Sequence, residues 1–366
     1  MTLTLVATGA AAAPAQAAAP SWTHDGYGPG NTSYNPAESV VNATSIKRLR
    51  LKWRAVPAAG TDGCQSQTAP VVVGGRMFMI DGDGVGAYDA LTGRRLWRDA
   101  TVMDSMVHRT LTVAGGLVIT TGYSCYGVSD PSGHIAALDA ATGKRRWRVI
   151  EGSATEHVVA DSGMLISYSK CEVCSSNLVA AYRLSDGAPV WSHPDTALTS
   201  PVSANGRLLL TGENGTVAVA AGTGRVLWRS AAVLSVLAAN PAGDQFYVSN
   251  RTGTLAALQA STGRVVWSAA SAAGQLAADG RRVYVIRDGI TAYDAVTGRR
   301  LWRRAVTSHS KPVRAGGLLY TEGSVLSPTT GALIMPATYS SAFHHAVVVN
   351  GRILRVKGFE VQAYAP

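Results

Sequence analysis

The feature that most constrains this chain is a repeated cassette that ends in tryptophan. The runs AYDALTGRRLW, AALDAATGKRRW, AAYRLSDGAPVW, VAVAAGTGRVLW, AALQASTGRVVW and TAYDAVTGRRLW close on Trp97, Trp147, Trp191, Trp228, Trp267 and Trp302. A decayed copy, VLSPTTGALIM, closes on Met335. Successive cassettes lie about 33 to 50 residues apart, the period of propeller and solenoid units. Each unit divides in the same way. In residues 68–98, TAPVVVGG, RMFMIDGDG, VGAYDALTG and RRLWR read as four short strands punctuated by glycine-containing turns. Four antiparallel strands, repeated radially, predict the blade of a propeller. A helical solenoid is disfavoured, because no segment shows a 3.6-residue apolar period and the chain holds 39 Gly.

The blade count follows from the chain ends. Residues 344–366 supply only three strands, and the missing fourth stands at the other end as LRLKWRA around Trp53. Pairing the two ends closes the ring and removes the open edge that a sheet otherwise presents. The expected fold is therefore all-β, an eight-bladed β-propeller with four-stranded antiparallel blades and an N-terminal strand closing the last blade. Composition agrees: 46% hydrophobic and 15% charged residues suit a packed core rather than a disordered chain. The domain reading is an export signal over 1–19, an N-terminal lead-in over 20–45 and the propeller over 46–366. The signal is inferred from an apolar, Ala-rich start and an A-x-A site at Ala15–Gln16–Ala17, which places the protein outside the cytoplasm. No later stretch reaches eighteen apolar residues, so no transmembrane segment is expected.

The cassette A-x-D-A-x-T-G-x-x-x-W is complete as Ala87, Asp89, Thr92, Gly93 and Trp97, and again as Ala292, Asp294, Thr297, Gly298 and Trp302. It resembles the tryptophan-docking motif of the pyrroloquinoline-quinone (PQQ) repeat family, and the stretch 22–53, with GPGNTSYNP, resembles the N-terminal segment of those proteins. The resemblance covers nearly all of the mature chain. It implies that each Trp packs between blades against the Gly region of the next unit, which makes Trp53, Trp97, Trp147, Trp191, Trp228, Trp267 and Trp302 structural. It also implies two function classes. Catalytic quinoproteins hold a Ca²⁺ or lanthanide ion, an Asp base and a quinone between a Trp floor and a ring of adjacent Cys residues. Outer-membrane assembly propellers are eight-bladed, lipid-anchored and bind other proteins. This chain has no Cys-Cys pair, keeps only Trp22 outside the docking set, and places acids such as Asp81 and Asp83 at turns. The expectation is an exported, monomeric, non-catalytic binding or scaffold propeller with no cofactor and no catalytic residues. Its partner is a protein or the cell envelope. A PQQ- or metal-dependent dehydrogenase is the alternative.

Propeller geometry nominates a site. The residues leading into each innermost strand share one channel mouth, and there stand Gln67, His108, Arg109, Glu156, His157, Gln275, His309, Lys311 and His344. Convergent polar and titratable groups permit three readings: a wet channel mouth, an anion or small-polymer site, or a metal site, although the spacing matches no metal signature. The four Cys map to the same face, and an even count in an exported chain favours disulfides. Cys171–Cys174 is expected as a hairpin staple and Cys64–Cys125 as an inter-blade bridge, with zinc or redox roles for C-E-V-C as alternatives. The net charge is +10. Much of the excess falls in RRLWR, KRRWR and RRLWRR, so Arg94, Arg98, Lys144, Arg148, Arg299 and Arg303 read as solvation of outer edge strands. Specific nucleic-acid recognition lacks a motif and a stacking strip, whereas adhesion to an anionic envelope surface fits the charge.

Overall fold

A computed structural model describes residues 21–58, 68–82, 84–100, 106–124, 132–170, 177–308, 310–335, 346–357 and 360–366. It forms eight sheets, each a blade of the predicted propeller. Blade 1 runs Val71–Val73, Arg76–Asp81, Gly84–Asp89 and Arg95–Asp99. Blade 2 runs Met106–Ala114, Leu117–Ser124, Gly133–Asp139 and Arg145–Glu151, and blade 3 runs Ala154–Asp161, Met164–Lys170, Asn177–Arg183 and Pro189–Pro194. Blade 4 holds Arg207–Gly212, Gly215–Ala220 and Val226–Ser230, and its innermost run is tied in by the bridge of Ala197 to Thr211 and by the paired backbone bonds of Ala204 and Arg207. Blade 5 follows with Leu234–Ala239, Gln245–Asn250, Leu255–Gln259 and Val265–Ala269. Blade 6 comprises Gln275–Ala278, Arg282–Arg287, Gly289–Asp294 and Arg300–Arg304. Blade 7 comprises Val313–Ala315, Leu318–Thr321, Ser324–Leu326 and Leu333–Met335. Blade 8 joins Val347–Val349, Arg352–Lys357 and Glu360–Ala365 to Arg50–Ala55, which pairs antiparallel with Glu360–Ala365. The chain ends are thus joined in one sheet.

Burial changes with radius. Second strands are covered by a blade on each side, so they are apolar runs rather than alternating ones: Met77, Phe78, Met79 and Ile80 are all buried. Outer strands expose most residues and bury chiefly the Trp side, as in Val265–Ala269, where only Trp267 is buried. In every blade the ladder between the third and fourth strands slips by one residue just before that Trp, or before Met335 in blade 7. The extra residue, such as Leu96 before Trp97 or Val266 before Trp267, makes a bulge that turns the strand and re-aims the ring.

Each ring lands on the next blade. The Asp of the cassette folds the turn: the Asp89 carboxylate accepts the amides of Leu91 and Thr92 (3.1 and 2.8 Å) and the Thr92 hydroxyl (2.8 Å). Asp139 and Asp294 do the same in their own turns. The turn delivers Gly93 at φ +72°, a conformation that suits glycine, and the bare Cα becomes a seat for Trp53. The series continues with Trp97 on Gly143, Trp147 on Gly187, Trp191 on Gly224, Trp228 on Gly263, Trp267 on Gly298 and Trp302 on Gly331. Six indoles also donate to a carbonyl of the neighbouring turn, from Trp191 to Ala221 at 2.8 Å to Trp97 to Ala140 at 3.3 Å. Buried carboxylates add further inter-blade ties. Glu151 of blade 2 accepts Thr155, Ser167 and Tyr182 of blade 3 at 2.7, 2.6 and 2.9 Å, and Asp279 of blade 6 meets Arg314 of blade 7 at 3.0 Å.

The seam between blades 7 and 8 has no such lock. Met335 stands where a Trp would, and the fourth strand of blade 8 is Arg50–Ala55 from the other end of the fold rather than a strand that follows a cassette turn. A continuous apolar cluster fills the seam, gathering Met335, Val41, Ile46, Val347 and Val348 with Met77 and Tyr88 of blade 1.

A methyl group at a seat glycine tests the lock. A Cβ on Gly298 would come within 2.6 Å of Trp267, whereas Gly317, at a similar φ of +75°, faces open space. Gly298→Ala is expected to cost about 2–3 kcal/mol and Gly317→Ala about 1 kcal/mol in urea unfolding. Equal losses would show that backbone strain alone, and not the seated indole, sets the penalty.

Candidate functional site

The chain's own N-terminal segment runs around one end of the ring. Residues 22–35 pass the blades in ring order and bond to each innermost strand in turn. Trp22 exchanges two backbone hydrogen bonds with Val72 of blade 1, at 2.7 and 2.8 Å. Val113 of blade 2 donates to the Thr23 carbonyl (2.9 Å), and Ala160 of blade 3 donates to Nε2 of His24 (3.4 Å). The amides of Ser203, Ala239 and Ala278, in blades 4 to 6, donate to the carbonyls of Pro29, Gly30 and Thr32 at 2.7 to 2.9 Å. Tyr34–Asn35 then lies parallel to Val313–Ala315 of blade 7, and the Asn35 amide reaches the Val348 carbonyl of blade 8 at 2.8 Å. Glu38 completes the circuit by accepting the Gly351 amide at 3.0 Å. Innermost strands border a channel and have one neighbour instead of two, so their amides need partners; the strap supplies them. Its tight course uses positive φ at Gly26, Tyr27, Asn31 and Ser33.

His24 is the buried titratable group of this strap. It is 6% exposed, Nδ1 pairs with the Thr23 hydroxyl at 2.8 Å, and burial holds its pKa down to about 4 against a weaker upward pull from Asp161. The imidazole is neutral at physiological pH and accepts the Ala160 amide through Nε2.

The strap bonds to the far ends of the innermost strands, so the sequence-nominated residues belong to the other end. Glu156 is the extra residue of a bulge between Thr155 and His157, and Arg109 occupies the same place between His108 and Thr110 of blade 2. The two backbone bulges thus stand at matching places on adjacent blades. The His157 ring stacks on Tyr168 (6.1 Å, 29°), whose pKa is raised by burial and by the Glu156 charge. Gln275 is exposed at the start of its strand. Lys311 departs from the expected grouping. Its ammonium donates to the Asn31 carbonyl at 2.9 Å and to the Asn31 side chain, so it reaches down to the strap rather than crowning the mouth. Burial lowers its pKa to about 8, against an opposing pull from Asp25. Gln67, His309, His344 and the four Cys of the expected disulfides lie outside the described residues, as do the side chains of His108 and Arg109. Of the rim cations, Arg94, Lys144 and Arg299 are exposed as expected of edge residues. Arg98, Arg148 and Arg303 also hydrogen-bond within their own blades, to Asp81, His134 and Asp288.

The sequence marks the lead-in but not its course from blade to blade around the ring. The available signal was the Gly-rich run HDGYGPGN, whose Gly26, Gly28, Gly30 and Asn31 permit a sharply curled path.

The strap makes stability pH-dependent in a defined direction. The unfolded chain takes up the His24 proton near pH 6.5 and the folded chain only near 4, so the unfolded state is favoured as pH falls between these values. Above pH 6.5 the group contributes no pH dependence. The wild type should lose up to about 3 kcal/mol more than His24→Gln between pH 6.5 and 4 in urea unfolding. Parallel losses in the two proteins would remove His24 as the responsible group.

Comparisons with known proteins extend this geometry. A family profile described as "Outer membrane protein assembly factor BamB" matches residues 30–193, 131–332 and 213–364 in overlapping passes. The outer membrane protein assembly factor BamB of Yersinia pestis is 27% identical over 220 residues, 55% of this chain and 54% of that protein, so the match spans about half of the relative's length. The corresponding factor of Shewanella oneidensis is 25% identical over 302 residues, 77% of this chain and 69% of that protein. Among solved structures, the quinohemoprotein alcohol dehydrogenase of Comamonas testosteroni superposes with a TM-score of 0.68 over 94% of this chain and 80% of that one, at 14% identity, which speaks to the fold alone. With a ring of Trp-on-Gly locks and a profile match running from residue 30 to 364, the chain belongs to the BamB family of PQQ-like β-propellers.

Proposed function

We propose that this protein is an exported, non-catalytic propeller that works outside the cytoplasm as a monomer and binds a protein partner through the face of its ring opposite the strap. The observation that carries this reading is the strap: residues 22–35 bond from blade to blade across one end of the ring, which commits that end to holding the blades together and leaves the opposite end, with Glu156, His157 and Gln275, as the face for a partner. A rigid ring presenting loops and polar groups on one face suits docking by another protein. The printed role of its relatives, assembly of outer membrane proteins, is also one of partner contact.

The likeness to a quinohemoprotein alcohol dehydrogenase raises dehydrogenase function as a second reading. A quinone cofactor is the less supported reading on the aromatic side chains described. It needs a free aromatic platform and converging oxygen ligands for a hard cation. Seven Trp rings are seated on or beside neighbouring turns, and Trp22 is 2% exposed, edge-on to Tyr27 at 5.4 Å.

Cross-linked pull-down from the native envelope separates these readings. The wild-type chain should capture a discrete protein partner. Glu156→Lys with Gln275→Lys should lose it at least about ten-fold, while Leu91→Lys, on a turn at the strap end, should retain it. Loss through Leu91→Lys alone would move the docking face to the strap end. Dye reduction with alcohols after addition of PQQ and Ca²⁺ would establish the dehydrogenase reading instead.

A further inference from the structure

The rim of the ring is asymmetric in charge. Blade 8 and the short helix before it present Lys47, Arg48, Arg50, Lys52 and Arg54, all exposed. Blade 1 presents Arg94, Arg95 and Arg98. Blade 2 adds Lys144, Arg145, Arg146 and Arg148. These blades are consecutive, because Trp53 of blade 8 sits on Gly93 of blade 1 and Trp97 of blade 1 on Gly143 of blade 2. The segments 47–56, 94–99 and 144–150 hold these twelve cations and one carboxylate, Asp99, whereas the whole chain is only +10. The rest of the chain sums close to neutral, with a smaller cationic edge at Arg299, Arg300, Arg303 and Arg304 of blade 6 lying apart from the arc beyond blade 7. The arc has clear borders: the outer strands Pro189–Pro194 of blade 3 and Leu333–Met335 of blade 7 contain no Lys or Arg.

Charge alone would suit any polyanion. Two further features narrow the partner. Exposed aliphatic side chains are interleaved with the cations: Leu51 and Val56 in blade 8, Leu96 in blade 1 and Ile150 in blade 2, of which Val56 and Ile150 are 68% and 63% exposed. Leu96 is also the extra residue of its bulge. Meanwhile the aromatic rings of these strands, Trp53, Trp97 and Trp147, are turned onto the glycine seats and so cannot stack on bases. Cations beside exposed aliphatic groups, without aromatic platforms, match a bilayer surface with anionic headgroups, where the charges meet phosphates and the aliphatic groups enter the interface. The geometry points to edge-on docking of the propeller on an anionic lipid surface through the rim of blades 8, 1 and 2. In that pose neither end of the ring faces the membrane. The inference concerns a surface separate from the proposed docking face and does not depend on a partner binding there; it shares with the proposed function only the location at an envelope.

Vesicle flotation of the full chain tests it. Binding is expected to vesicles of phosphatidylcholine with phosphatidylglycerol and not to phosphatidylcholine alone, and to fall steeply at about 0.5 M salt, where charges are screened within a few ångströms. The variant Lys52→Glu, Arg54→Glu, Arg94→Glu and Arg145→Glu should weaken partitioning at least about 100-fold. A control with the same change in net charge, Arg225→Glu, Arg229→Glu, Arg264→Glu and Arg299→Glu, should stay within about three-fold of wild type. Leu96→Ser with Ile150→Ser should weaken vesicle binding but leave binding of soluble polyphosphate unchanged. Wild-type circular dichroism and thermal midpoints for each variant confirm folding, and the salt response of the unmodified chain is read independently of them. Equal loss in the control would overturn the inference in favour of net charge. Vesicle binding unaffected by the Leu96 and Ile150 changes would overturn it in favour of a soluble polyanion.

Discussion

The structure depends on an indole seated on a glycine. The cassette makes one residue serve both as turn and as socket: Asp89 folds the turn, the turn demands a positive φ, and the glycine that supplies it leaves the space a Cβ would take. The preceding bulge aims the ring outward from its own sheet, and the indole nitrogen finds a carbonyl in the neighbouring turn. Each ring covers roughly 150–250 Å² of apolar surface, so the contact is large as well as directional. Angular spacing and adhesion between wedges thus come from one short stretch of sequence, which explains why the cassette recurs while the inner strands vary.

Such a series is open by nature, because a ring of eight wedges needs a final contact that the last cassette cannot provide. The solution is distributed. Arg50–Ala55 supplies the fourth strand of blade 8 and carries Trp53 to the first seat, Gly93. The seam between blades 7 and 8, without a Trp, is filled by apolar side chains from the lead-in and three blades. The strap then bonds to all eight innermost strands. The decay of the seventh cassette is consistent with its position: Gly331 is kept because Trp302 uses it, while Met335 replaces the Trp that would have no seat beyond.

The architecture was legible because its signals are local and repeated. Asp, Thr, Gly and Trp at fixed spacing reveal both the strand endings and the partner of each blade, and the short count of strands after residue 344 points to the donated one. The strap was not legible in the same way. Gly26, Gly28, Gly30 and Asn31 announce a curled path, yet the acceptors they present are backbone carbonyls, and the donors they meet are amides with no side-chain signature. Lys311 shows the same limit. Its position before an innermost strand suggests the mouth, but a long side chain can run along the channel, and the polar atoms of Asn31 draw its head to the strap. The bulges at Arg109 and Glu156 were likewise hidden, since a one-residue slip leaves the composition of a strand unchanged.

The consequence for function is a division of labour between surfaces under different constraints. The strap end is committed to the ring: its amides, His24, Asn35 and Glu38 are all engaged in holding strap to blades. The seats and second strands are committed to packing. What remains free to vary without loosening the ring is the end opposite the strap and the outermost strands, where a bulge already separates the exposed residue from the Trp beside it. Two such surfaces on one rigid body lie at right angles, one facing along the ring axis and the other away from it. A body of this kind can be held at its rim while its face meets something else, and no hinge is needed to do both.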